Sequence, residues 1–215
     1  MAFKASKDLN VEGNKQIITR EPGIYVVSLD NVEEGVKRVG TGDAAVDVPT
    51  IDYTVVVRKV TELHDKTLDA QSIVGKKHME QIRLDGINTQ EDFNKKYKRI
   101  AHIFTKAGVP IEDIQKVPFD SPEQYQKAIV TLYDREKHGK ATFNYRVIGG
   151  TYNGAVFTQA PGYLGFATVL GEEQKFSSSE IKANNDYYSA LKGQTPSAET
   201  GGIPSDGGSV PAGAF

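Results

Sequence analysis

The sequence predicts a mainly β chain with a helical insertion, an α+β domain of five strands closed into a barrel. Three observations predict it. Apolar residues alternate with polar ones before residue 85 and again after residue 142. Between these stretches the apolar spacing changes to that of a helix. From residue 192 onward almost nothing remains that could pack into a core.

Residues 1–20 read as a polar N-terminal arm. Pro22 and Gly23 open the first strand, Ile24 to Asp30, rich in β-branched and aromatic residues. With Ile24 and Val26 inward, Tyr25 points outward. A charged, Gly-containing loop from Glu33 to Pro49 carries Lys37 and Arg38. The second strand, Ile51 to Val60, puts Ile51, Tyr53, Val55 and Val57 on one face and Arg58 on the other. The third, Lys76 to Leu84, turns Ile82 and Leu84 inward and Lys77, Met79, Gln81 and Arg83 outward.

A helix follows, with a capping-box-like start over Asn88 to Glu91 and a stripe of Phe93, Tyr97, Ile100 and Phe104. Gly108 and Pro110 stop it. A second helix starts at Ser121 and Pro122, with Tyr125, Ile129 and Leu132 as its apolar stripe. Thr142 to Ile148 returns to period two, with Phe143 and Tyr145 in the core. Short strands then fall at Ala155 to Thr158 and Phe166 to Leu170, and a short helix at Glu180 to Leu191. Three strands, helices and two more strands is the order of the OB-fold. The domain spans residues 21–191, and residues 192–215 form a Gly/Ser/Pro-rich tail expected to be disordered, for want of apolar surface to offset its ordering entropy.

Composition narrows the function. The 215 residues include no cysteine, so disulfides and thiolate metal sites are excluded. No signal-peptide core and no membrane-length apolar run is present, and the expected location is cytoplasmic. Net charge is −2, yet Gln71 to Lys106 holds eight Lys or Arg against four acids. Gly40, Gly42 and Ala45 match a dinucleotide fingerprint only superficially, because no helix follows. No histidine pair has metal-ligand spacing, and His78 and Glu80 read as polar residues near the barrel rim. The acidic residues are scattered, not clustered as a metal-dependent nuclease needs. No enzyme and no cofactor is expected.

A single-strand binder needs cations along the backbone path and aromatic faces for stacking. The chain offers Arg58, Lys77 and Arg83 outward on strands two and three, Lys37 and Arg38 in the first loop, and Tyr25 on strand one. Tyr152, Phe157 and Tyr163 stand beside glycines in the final hairpin region. Each aromatic alone fits a core as well as a stacking role; the argument rests on the group.

In layout the chain resembles the OB-fold single-stranded DNA-binding proteins of tailed phages. The resemblance lies in the opening from Pro22 to Val27 with its charged loop, and in the strand Tyr53 to Arg58. It extends to the helix Glu91 to Lys106 and to a low-complexity tail closing on Phe215. It implies a protein that coats single-stranded DNA in phage replication and recombination without sequence preference. It also implies that Phe215 recruits phage or host replication proteins. Many such tails are strongly acidic, whereas this one holds only Glu199 and Asp206. A virion decoration or tail component is the second reading, since Gly-rich hairpins and a polar arm suit that role too.

Overall fold

A long antiparallel ribbon organises the molecule. The computed structural model describes residues 20–162 and 164–193. Strand β1 (Gly23–Val39) pairs with β2 (Val46–Leu63) along its whole length, from Gly23 opposite Leu63 to Val39 opposite Val46. β3 (Lys77–Arg83) pairs with β2. Helices α1 (Gln90–Lys106), α2 (Ile111–Gln115), α3 (Pro122–Thr131) and α4 (Arg135–His138) intervene. β4 (Thr142–Tyr152) then returns against β1 and receives β5 (Ala155–Gln159) and the two-residue β6 (Ala167–Thr168) on its far edge. Helix α5 (Ser178–Gly193) follows. The strand order is β3-β2-β1-β4-β5, with β6 beside β4.

The α+β class and the helices between the third and fourth strands are present as expected. A closed five-stranded barrel is not. Six strands form the sheet, and among the described residues no ladder joins β3 to β5.

Period two in β2 sends Ile51, Tyr53, Val55 and Val57 into the core, and Phe143 and Tyr145 join them from β4. On β3, Ile82 and the following Leu84 are buried while Met79 and Gln81 are exposed, as their alternation predicts. Helices α1 and α3 close this face with Ile100, Ile103, Phe104, Tyr125 and Ile129. Thr89 caps α1 through a capping box with Asp92, one residue later than the spacing from Asn88 suggests. Ser121 and Pro122 start α3 as expected.

Four expectations need correction. Tyr25 is fully buried and not outward, its hydroxyl donating to Glu21 O at 2.5 Å. The bulges here fall in β2, at Thr61 and Arg58, so β1 keeps its alternation in the opposite phase: Tyr25, Val27 and Leu29 face the core, and Ile24 is buried as well. The segment Glu33 to Pro49 is no loop, because both halves of it extend the β1–β2 ribbon and only its Gly40–Ala45 tip turns. His78 is buried and not on a rim, with Nε2 2.9 Å from Glu80 Oε1. Helix α5 begins two residues earlier than expected and runs on through Gly193. The arm is described only at Arg20 and the tail only at Lys192 and Gly193; Phe215 and Tyr163 lie outside the described residues.

Candidate nucleic-acid interface

Pleating puts every second residue of β2 and β3 on the side of the sheet away from the core face of Tyr53 and Ile82. Along β3 these are Lys77, Met79, Gln81 and Arg83, lying opposite Val56, Thr54, Asp52 and Thr50 of β2. Lys77 and Arg83 are six residues apart, about 20 Å along the strand. Arg58 continues this face beyond Val56. A bulge adds to it: Val27 pairs with Val57 and Val26 with Lys59, so Arg58 is the extra residue. Consecutive Arg58 and Lys59 are therefore both exposed.

The cations are not equally available. Arg58 donates Nε to Ser28 Oγ at 2.9 Å, a neutral partner, and among the described residues it makes no ion pair. Lys77 Nζ lies 2.7 Å from Asp30 Oδ2, and Arg135 NH2 lies 2.6 Å from the other oxygen. Burial opposes the charge on Asp30, but Lys77 and Arg135 outweigh it and hold the carboxyl below the usual range. Arg83 forks onto Asp85, with Nε 2.9 Å from Oδ1. Among the described residues Lys37, Arg38 and Lys59 make no ion pair. Lys37 and Arg38 are neighbours in an extended strand, so they point to opposite sides of the ribbon. Lys96 of α1 approaches Arg83 and Asp85; burial lowers its pKa, with Arg83 and Arg99 adding to the effect and Asp85 opposing it.

The aromatics are arranged differently. Tyr152 and Phe157 belong to the β4–β5 hairpin, closed by Asn153 and Gly154 with positive φ, and β1 separates that pair from β2 in the strand order. Both are half-buried. The Phe157 ring lies on Gly150 so closely that a Cβ there would fall 2.5 Å from it. Phe157 is thus already in use within the fold. The structure therefore brings Arg58, Lys77 and Arg83 to one face and leaves Tyr25, Tyr152 and Phe157 off it. Met79 is outward as alternation predicts, whereas Lys59 and buried Asp30 are not legible in the sequence, since alternation hides a bulge and gives no sign of an ion pair.

The opposite face holds a polar cluster under the gap between β3 and β5. Tyr53 and Tyr145 hydroxyls meet at 3.1 Å. Burial raises both of their pKa values, and Glu80 adds to this. Glu80 Oε1 also accepts the N–H of Ala160, just past β5, and Arg99 of α1 donates to Pro161 O at 2.9 Å. Side chains thus bridge the gap that no ladder closes. Among the described residues no cluster of His, Asp and Glu can hold a metal ion, and no helix is long and apolar enough to cross a membrane.

No known protein-family model matches the chain, and no curated protein is similar to it.

Proposed function

We propose that this protein binds single-stranded DNA without sequence preference on the outer face of β2 and β3. The observation that carries the reading is the pair of exposed cations at the β2 bulge, Arg58 and Lys59, in line with Lys77, Met79 and Arg83. Cations spaced along a strand suit a phosphate backbone, and an exposed Met beside them suits the flat face of a base. The pairing of β1 with both β2 and β4, with helices inserted before β4, also supports an OB-like scaffold left open between β3 and β5. In this reading the protein coats strands in phage replication and recombination, works without cofactor or catalysis, and docks phage or host replication proteins through its tail.

Fluorescence anisotropy with labelled oligo(dT) and a duplex of equal length tests the reading. Single strands bind more tightly, with a log–log salt slope of about −0.7 per phosphate contacted. Arg58→Glu with Lys59→Glu weakens binding at least tenfold while the melting temperature changes little. Equal affinity for duplex, or normal binding by the double variant, overturns it.

A further inference from the structure

The turn entering β6 is held to α1 by a single ring nitrogen. The N–H groups of Gly165 and Ala167 each lie 3.3 Å from Nε2 of His102. Phe166, between them, stands edge-on to the imidazole with centroids 4.9 Å apart, and Arg99 lies 4.7 Å over the same Phe ring. On its other side the turn is fixed to β4, where Arg146 N–H donates to Phe166 O at 2.7 Å. Alternate amides of an extended chain point to opposite edges, so the Ala167 N–H is directed away from β4 and toward α1.

An imidazole nitrogen that accepts hydrogen bonds must carry its lone pair. The arrangement therefore requires a neutral ring with its proton on Nδ1. We propose that His102 is a pH-sensitive latch, whose protonation at Nε2 displaces both backbone donors and releases the Gly165–Ala167 turn from α1. The groups around it have the charges this needs. Arg99 and Lys106 of α1 are cationic, the turn presents N–H donors, and Glu80 of β3 is engaged with Ala160 at the other end of the same segment. Burial first, then Lys106 and Arg99, hold the His102 pKa below the ordinary 6.5. Once open, the ring returns toward that ordinary value. The closed form is thus fully favoured above pH 6.5 and loses ground as pH falls below it. On the β4 side the Arg146 guanidinium, paired with buried Glu180, donates through Nη2 to Gly165 O at 3.4 Å, and an arginine keeps its charge across this range, so the release is local. The latch does not depend on strand binding.

Amide exchange by NMR, corrected for intrinsic rates, reads it directly at Gly165 and Ala167. Between pH 7.5 and 5.5 the wild-type protection of both amides falls by up to about tenfold, as one proton per opening dictates, while Ile103 in α1 is unchanged. His102→Gln keeps an acceptor that does not titrate, so its protection stays high and flat. His102→Leu has no acceptor, and its protection is low at every pH. Flat wild-type protection overturns the latch. So does the same fall in His102→Gln, which would assign the effect to other groups. Should His102→Leu fail to fold, the contrast between wild type and His102→Gln decides alone.

Discussion

The two sides of the sheet are joined in different ways. Between β1 and β2 a backbone ladder runs from Gly23 to the ribbon tip, interrupted only by bulges. Between β3 and β5 there is no ladder, and Glu80, Arg99 and His102 span the gap by holding single backbone groups at Ala160, Pro161, Gly165 and Ala167. A ladder uses N–H and C=O groups that nearly every residue has, so it tolerates most side chains. The seam uses particular atoms, and each can be deleted by one substitution. One side of this molecule is specified by pattern and the other by identity.

That contrast can be broken or sharpened by substitution. Tyr53→Ala removes a fully buried ring beneath the seam together with the hydroxyl facing Tyr145. Chemical denaturation should show a loss of about 3–5 kcal/mol. Glu80→Ala leaves His78 and the Ala160 N–H without their acceptor, which costs about 2–3 kcal/mol. In that variant the amide of Ala160 should lose protection while those of Val55 and Val57 keep theirs. Equal loss on both sides would make ladder and seam one cooperative unit and end the distinction.

Asp30→Asn lies between these extremes, because it weakens charge-assisted bonds from Lys77 and Arg135 and costs about 1–2 kcal/mol at neutral pH. Its sign with pH is fixed. The folded-state pKa of Asp30 is depressed below 3.8, so its contribution is complete above that value and is lost as pH falls through the lowered one. Melting curves across the acid range should show a drop in wild type that the variant lacks. Arg38→Ala, on the exposed ribbon, should change stability by less than about 0.5 kcal/mol, the indifference expected of the ladder side.

The same division explains what could be read in the sequence. The inward face of β2 and the outward positions Lys77 and Arg83 follow from strict alternation, and the structure keeps them. Tyr25 is different because β1 is covered on both faces there, with Ile24 and Ser28 buried as well as Tyr25 and Val27, so the residue types do not show which phase of the alternation faces the core. Residues 33–49 look like a loop because most of the ribbon is exposed and carries no buried stripe, although its backbone pairs fully. Helices α2 and α4 are too short to show a period. The seam was invisible for a different cause. Its bonds join residues more than sixty positions apart, side chain to backbone, and leave no rhythm along the chain. The candidate face was legible as a set of cations but not as a set of free ones, since the partnership of Lys77 with Asp30 depends on the bulge at Asp30.

Helix α5 reaches back to the start of the described chain. Tyr187 donates its hydroxyl to Arg20 O at 2.8 Å and Tyr188 to Glu21 at 2.9 Å, across 167 positions in each case. β1 meanwhile waits for β4, as Tyr25 pairs with Tyr145. A ribosome therefore releases the β1–β2 ribbon long before the partners for its second edge exist. Adjacent strands form early, but the sheet is completed only when β6 has emerged, and the bonds from α5 to Arg20 and Glu21 only after Tyr188. Such long-range closure makes folding slow relative to helical proteins of similar size. Until then β1 presents an unpaired edge to its surroundings, the period when aggregation is the main hazard for a nascent chain.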